Sequence, residues 1–335
     1  MAVYDISSIV ISSRIRLARN IADYRMPQQI TPDEGYSVLK KVAASVKDLD
    51  DFKVYSIKSL PKEDAFVMQE KHLISLDLLE KDYGAVILSS DETTSIMVNE
   101  EDHIREQCFL RGLELEKAYE KLNAVDDKIL SSLNIAFDEK LGFLTSCITN
   151  VGTGMRASVL MFLPALTLSG EMNNIIKALE DKGLCARGVY GEASSFEGFM
   201  YQISNSTSLG KTEKEIVGSV KEAVLRICDY ENRARKTLLA TRETEITDRV
   251  LRAYGVLTNC YTLSASELLK MGGEVKMGIA LGIIRLKDNG LLDKFATSCM
   301  KYNLSKIAGA KLEGEQEGIF RAAYVSKMLK NQRIK

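Results

Sequence analysis

Apolar positions along this chain follow two periods. Up to about residue 230, short runs with strand character are interspersed with longer stretches of helical spacing. The strand pattern falls on "SIVISSRIRLA" (8–18), "AFVMQE" (65–70), "GAVILSS" (84–90), "SIMVNE" (95–100), "LGFLTSCITN" (141–150), "ARGVYG" (186–191) and "FMYQISN" (199–205). Helices are expected over 32–49, over 101–130 with a break near Asn123, and over 157–183. These strands do not alternate regularly with helices. The expected class is therefore α+β, a mainly antiparallel sheet flanked by helices rather than a doubly wound parallel one.

From about residue 213 onward the pattern is almost wholly helical. Ile216, Val220, Ala223, Val224, Ile227 and Tyr230 keep one apolar stripe that runs into the basic "NRARK". Three or four further helices follow, parted at "TNCYTLSAS", "KDNG" and "AGAKLEGE", and none of the four prolines lies beyond Pro164. An α+β domain over 1–235 followed by an all-helical C-terminal domain over 236–335 is expected, with the boundary in a stretch that can be one continuous helix. The 335 residues accommodate two domains of roughly 150 each.

Composition narrows the function classes. With 45% hydrophobic and 27% charged residues the chain can bury ordinary cores and stay soluble. A formal net charge of −1 gives no support for direct nucleic-acid binding, which needs a basic face. The first residues lack a basic start followed by a long apolar run, so no signal peptide is expected. Runs such as "GIALGII" (278–284) are too short to span a bilayer, so no membrane partner is expected. The six cysteines lie at least 32 residues apart, which disfavours both a zinc site and a secreted disulfide framework. His72 and His103, the two histidines, are also distant in sequence. A reduced, cytoplasmic protein without a protein-held metal is expected.

Four stretches could carry chemistry. "NEEDHIR" (99–105) collects Glu100, Glu101 and Asp102, and on its own reads as a solvated turn entering a helix, where acids are favoured. Arginines recur beside turns. Arg14 and Arg16 in "SSRIR" share one strand face; Arg156 follows the Gly152/Gly154 turn at the expected start of an apolar helix; Arg187 and Glu192 bracket "RGVYGE". Singly, each is an ordinary surface arginine, but a convergent set would suit a triphosphate, because guanidinium forks grip phosphate oxygens bidentately. "NSTSLGKTEKE" (205–215) nearly matches a P-loop, yet Asn205 replaces its first glycine, and a helix cap explains Lys211 and Thr212 better. Cys147 in "TSCITN" has no histidine nearby in sequence to make it a nucleophile.

Taken in order, "SSRIR", "NEEDHIR", "C-x-x-N-x-G-T-G-x-R-A-S", "RGVYGE" and "ISN" resemble the phosphagen kinase (ATP:guanidino phosphotransferase) superfamily over roughly residues 8–235. The chain lacks the long helical N-terminal domain of the metabolic arginine and creatine kinases and adds a helical C-terminal one. In this it is similar to the bacterial protein-arginine kinases. The resemblance implies ATP contacts from Ser12, Ser13, Arg14, Ile15 and Arg16, from His72 and Arg105, from Arg156, Ala157, Ser158, Val159 and Leu160, and from Arg187, Gly188, Val189, Tyr190, Gly191 and Glu192. It assigns Glu101 and Glu192 to the substrate guanidinium and places Cys147 close by. It also implies Mg²⁺ carried on the nucleotide, protein substrates with exposed arginine, an activator protein, a link to stress response and Clp-type proteolysis, and a homodimer.

The chemistry fits those residue types. A guanidinium stays protonated, with a pKa above ~12, and is a poor nucleophile. Two carboxylates can clamp its edge, aim one nitrogen at the γ-phosphorus and draw off a proton. A protein side chain needs a more open mouth than a small guanidine, so a macromolecular substrate is expected; a small-guanidine kinase and a weakly catalytic nucleotide- or phosphoarginine-binding adaptor are the alternatives. One departure stands out. The resemblance brings a C-terminal R-D-x-x-R-A motif for allosteric phosphoarginine binding, but the matching stretch is "EGIFRA" (317–322). Glu317 would repel a phosphoryl group there, and Arg321 reads more simply as a helix cap.

Overall fold

The computed structural model describes residues 6–49, 52–188 and 197–332. In chain order the first part runs β1 (Val10–Arg19), α1 (Pro32–Ser45), β2 (Phe52–Ser56), α2 (Lys62–Glu70), α3 (Leu76–Leu79), β3 (Ala85–Ser89), β4 (Thr94–Val98), β5 (Ile104–Arg111) and α4 (Leu115–Ser132). There follow β6 (Phe137–Asp138), β7 (Gly142–Phe143), β8 (Met155–Phe162), α5 (Pro164–Leu168), α6 (Met172–Glu180), β9 (Leu184–Gly188) and β10 (Met200–Asn205). The rest is helical: α7 (Glu213–Asn259), α8 (Ala265–Ala280), α9 (Leu291–Ser298), α10 (Lys301–Ala308) and α11 (Glu315–Gln332).

Eight strands form one antiparallel sheet in the order β2-β3-β4-β5-β1-β8-β10-β9. Its register divides the faces cleanly, because side chains alternate along each strand. Ile15, Leu17, Cys108, Ala157, Val159, Met161, Tyr201 and Ile203 point to one face and enter a core with α4 and the first half of α7. The opposite face is polar in the middle and covered at both ends. At the β3–β4 end, Val86 and Met97 pack under Ile74 and Leu78. At the β8–β10 end, Phe162 and Met200 pack with residues of α8, α9 and α11.

Several expected elements differ. "AFVMQE" is helix α2, not strand: Pro61 precedes it and Glu63 and Asp64 occupy its first turn, start signals that outweigh a short apolar run. The helix expected over 101–130 is a turn, strand β5 and helix α4, which passes unbroken through Asn123. Pairing with β1 on one side and β4 on the other decides the strand. The helix expected over 157–183 opens with strand β8, between β1 and β10; helix begins only at Pro164, and Gly170 at φ +77° ends the first short piece. "LGFLTSCITN" keeps only the two-residue β7 and a 3₁₀ turn at Ile148–Asn150. Strand β2 and helix α3 have no counterpart among the expected elements: β2 is a partly exposed strand without a continuous apolar run, and α3 is a single four-residue turn. Tyr230 leaves the α7 stripe and is 49% exposed.

Helix α7 runs through 213–259 with one non-helical residue, Arg242. Four helices follow it. Arg321 does not cap its own helix: it is buried, donating Nε to the Cys299 carbonyl at 2.8 Å and Nη1 to the Leu263 carbonyl at 2.9 Å, and pairing with Glu317. It therefore closes the C-terminal end of α9, and its guanidinium is already fully occupied.

One buried acid marks a pH-sensitive spot. Glu106 on the core face of β5 is fully buried with both carboxylate oxygens unpartnered, and burial together with neighbouring Asp126 pushes its pKa well up. Its raised folded-state pKa means that its contribution to stability is full below the ordinary glutamate value and is lost as pH rises toward the folded one. Glu106→Gln should abolish that loss, so its stability advantage over the parent in urea unfolding should grow as pH rises above the ordinary glutamate range.

Candidate active site

The sheet register gathers the arginines. On β1, Arg14 lies opposite Phe109 and Ser158, and Arg16 opposite Gln107 and Arg156. Arg105 is opposite Ala18, and Arg187 is opposite Gln202, which faces Leu160. Five guanidinium groups thus emerge on the polar face. Arg105 is paired with the buried Glu100, whose carboxyl is penalised by burial but held below its usual range by Arg105 and Ser75. Arg156 donates to Ser204 Oγ at 3.0 Å, and Arg14 donates to Gln107. Among the described residues the Arg16 guanidinium has no hydrogen-bond or ion-pair partner, and the Nε atoms of Arg14, Arg16 and Arg156 are buried and unpaired. Loss of water and mutual repulsion with Arg105 and Arg156 pull Arg14 down to about 9; burial first, and then Arg14, also hold Arg16 well below its ordinary value. Such a row is unfavourable until an anion reaches it.

The acids of "NEEDHIR" sit in the β4–β5 hairpin and divide their tasks. Asn99 takes φ +60° and donates its side-chain amide to the Gly35 and Tyr83 carbonyls, which fixes the turn. Glu100 serves Arg105. Asp102 accepts from Asn20 Nδ2 and from the Ser146 amide, both at 2.7 Å. His103 is buried, its Nδ1 accepting from the Ile21 amide at 3.2 Å and its Nε2 at 2.8 Å from the Arg25 carbonyl. That leaves Nε2 as the donor and the ring neutral. Of these three acids, only Glu101 has a carboxylate without a partner among the described residues. Burial, then Asp102 and Glu100, raise its pKa against the pull of Arg105.

Glu101 opens into a pocket of about 180 Å³ shared with Arg16, Arg105, Arg156, Cys147 and Asn150. A second space of about 490 Å³ is reached by Ser12, Arg14, His72, Ser158, Leu160 and Gly188. His72, at φ +60°, follows α2, and Gln107 Nε2 holds its carbonyl at 3.0 Å and that of Leu73 at 2.9 Å. Cys147 sits in the loop before β8, its Sγ 3.1 Å from Thr149 Oγ1.

That loop is pinned by groups the sequence did not flag. Buried Arg19 donates to Asp126 (3.1 and 2.7 Å), to the Ala18 and Thr153 carbonyls (each 2.9 Å), and lies 3.7 Å over the Phe143 ring. Gly154, at φ +65°, passes so close that an added Cβ would stand 2.5 Å from the Arg19 guanidinium. Arg19 continues the even-odd march of "SSRIRLAR" but on the core face, the one signal available for it.

Not every expected contact sits at the pocket. Ser13, Ile15, Ala157 and Val159 face the core, and Ser13 Oγ bonds the Gly112 carbonyl at 2.8 Å, so their side chains do not reach the polar face. Arg156 lies inside β8 rather than at a helix start. Val189, Tyr190, Gly191 and Glu192 lie outside the described residues. The P-loop look-alike is a helix cap: Thr212 and Glu215 form a reciprocal capping box, and Lys211 lines a separate shallow pocket with Phe137 and Leu141.

Comparisons with known proteins agree with this geometry. Residues 36–234 match the ATP:guanido phosphotransferase C-terminal catalytic domain, and residues 243–335 match the protein-arginine kinase McsB C-terminal domain. A protein-arginine kinase of Caldanaerobacter subterraneus subsp. tengcongensis is 41% identical, covering 98% of this chain and 99% of its own. One from Geobacillus sp. (strain WCH70) is 42% identical over 98% and 92%. Among solved structures, a lombricine kinase matches with a TM-score of 0.61 at 26% identity, over 68% of this chain and 67% of its own. The duplicated taurocyamine kinase of Schistosoma mansoni, with bound transition-state-analogue components, shares the fold with a TM-score of 0.64 at 23% identity, over 78% and 38%. The chain belongs to the ATP:guanido phosphotransferase family and is a phosphoryl-transfer enzyme. Within that family it stands with the protein-arginine kinases.

Proposed function

We propose that the protein transfers the γ-phosphoryl group of ATP to arginine side chains of other proteins. The observation that carries this reading is the pairing of one unpartnered carboxylate, Glu101, with a row of under-satisfied guanidinium groups around one small pocket. The smaller space suits a guanidinium and the larger one a nucleoside, with the arginine row between them for the phosphates.

In this reading Arg14, Arg16, Arg105, Arg156 and Arg187 hold the triphosphate in line and neutralise the moving phosphoryl group. Glu101 aligns the substrate guanidinium and accepts the proton released as its nitrogen bonds to the γ-phosphorus. The bond from that phosphorus to the bridging oxygen breaks, and the electron pair leaves on ADP. Glu192 is the proposed second carboxylate. Cys147 lines the guanidinium pocket as a packing and orienting neighbour. Orientation of this kind can lower the barrier by roughly 7–11 kcal/mol, so no covalent protein intermediate is required. No group of three or more His, Cys, Asp or Glu side chains among the described residues could hold a metal ion, and Mg²⁺ is proposed to arrive on the nucleotide, screening phosphate charge.

We also propose a division at 235/236 into a catalytic domain and a helical domain for dimerisation and substrate docking. The two family matches, which end at 234 and begin at 243, and the irregularity at Arg242 support it. An activator protein, Clp-linked quality control under stress and a cytoplasmic location rest on the family resemblance alone; no helix among the described residues is long and apolar enough to cross a membrane.

Incubation of a protein mixture with ATP and Mg²⁺, followed by mass spectrometry under non-acidic handling, should reveal phosphoarginine on proteins. Free arginine turned over as efficiently as protein arginine would reject the macromolecular substrate. Lys211→Ala should leave the rate within about twofold, because Lys211 lies outside both spaces; loss of activity there would revive the P-loop reading.

A further inference from the structure

The polar face of the sheet changes character along its strands. On β8 the residues reaching this face run Arg156, Ser158, Leu160, Phe162, from charged to apolar. At the apolar end the wall of the larger space is not sheet at all but helix α9, through Asp293, Ala296 and Thr297. Helix α9 is anchored there: Asp293 pairs with the buried Lys276 of α8, whose Nζ lies 4.7 Å over the Phe162 ring. The neighbouring α10 holds helix α2, whose following residues Lys71 and His72 line the same space. Glu70, the last residue of α2, accepts from the Tyr302 and Asn303 amides at 2.9 and 2.8 Å, and Phe66 stacks on Tyr302 at 4.4 Å. Two residues beyond Glu70 stands His72, which lines the space.

With triphosphate at the arginine row, the base and ribose must lie toward Leu160 and Met200, against α9. We infer that α9 of the C-terminal helical region forms the outer wall of the base-and-ribose subsite, with Ala296 as its contact surface and Thr297 as a ribose- or base-facing hydroxyl. The Thr297 hydroxyl has no hydrogen-bond partner among the described residues, so it is free to bond a ligand. This deepens the kinase reading and rests on it. It makes the C-terminal region part of the nucleotide site, so movement of those helices changes nucleotide affinity directly.

The test uses the full chain and two probes, ATP and inorganic tripolyphosphate, which offers the arginine row its charges but has no base or ribose. Ala296→Trp should weaken ATP binding by about tenfold or more by filling the subsite. Thr297→Val, nearly the same size, should weaken it about two- to tenfold through the lost hydroxyl. Both should bind tripolyphosphate as the parent does, and the unchanged probe also reports that each variant is folded. Unchanged ATP affinity in both variants, or equal loss for both probes, overturns the inference. Arg14→Ala is the control for the underlying reading: it should weaken both probes, and if it weakens neither, the nucleotide assignment itself fails.

Discussion

Glu101→Ala is expected to lower arginine phosphorylation by about 10³-fold or more, while nucleotide affinity stays within about twofold. The asymmetry follows from how the three adjacent acids are used. Glu100 is buried against Arg105, so its removal would free a cation and disturb the phosphate row. Asp102 ties Asn20 and the Ser146 amide together, so its removal would loosen the Cys147 loop and lower stability. The Glu101 side chain supports nothing among the described residues; only its backbone does, the amide donating to Glu100 Oε2 and the carbonyl accepting from Gln28, each at 2.9 Å. A side chain that is half-buried, unpartnered and aimed at a pocket of guanidinium size is a working group rather than a structural one. Glu101→Gln should be nearly as damaging, since an amide can accept a hydrogen bond from the substrate but cannot take its proton. Single-turnover rates with saturating ATP, read beside nucleotide titrations, separate the two effects. The pH profile carries a second signature. Because burial and its acidic neighbours raise the Glu101 pKa, the carboxylate needed for proton transfer is lost as pH falls through that raised value. The acid limb of the rate should therefore begin above the ordinary glutamate range. A variant that keeps full transfer would remove the clamp from the mechanism.

Local spacing makes β5 and β8 pass as helix, and the reasons are physical. β5 and β8 are central strands with one wet face and one core face, but their wet face carries Arg105, Gln107, Arg156 and Ser158 mixed with Phe109 and Leu160. That mixture has neither strict alternation nor a continuous apolar run, and local spacing lets it pass as helix. Only the ladder partners β1, β4 and β10 decide otherwise, and of these β1 and β10 are remote in sequence. The C-terminal helices were legible because their stripes and breaks are local. At the site, motif order located Arg14, Arg16, Arg105, Arg156, Glu101 and Cys147, since each chemical type is distinctive. It could not say which acid of "NEEDHIR" is free, because that depends on Asn20 and Ser146 arriving from elsewhere. Nor could it reveal Arg19, whose partners Asp126 and Thr153 are 107 and 134 residues away. Contiguous motif runs also overreach: alternate residues of a strand face opposite ways, which sends Ile15, Ala157 and Val159 into the core.

Arg16→Ala should raise the melting temperature of the nucleotide-free protein and erase most of its stabilisation by ATP. An ordinary buried arginine behaves oppositely. Arg19, with four hydrogen bonds and an aromatic ring, should cost about 3–5 kcal/mol of stability if truncated, because Asp126 and two carbonyls would be left buried and unpaired. Arg16 has no partner among the described residues, faces Arg156 across the sheet, and is held well below its normal pKa by burial and by Arg14. Its charge is a cost in the free protein, and truncation removes that cost. The compensation comes only when an anion arrives. Charge-assisted hydrogen bonds contribute about 1.5–3 kcal/mol each, so the variant should bind ATP about ten- to more than a hundredfold more weakly. At a ligand concentration of about 100 times the parental Kd, the parent gains about 2.7 kcal/mol from ATP, and the variant should gain less than about half of that. Thermal shift with and without ATP reads both signs in one experiment. A drop in the nucleotide-free melting temperature, with the ATP-induced shift intact, would make Arg16 a structural residue and leave the row of cations without its purpose.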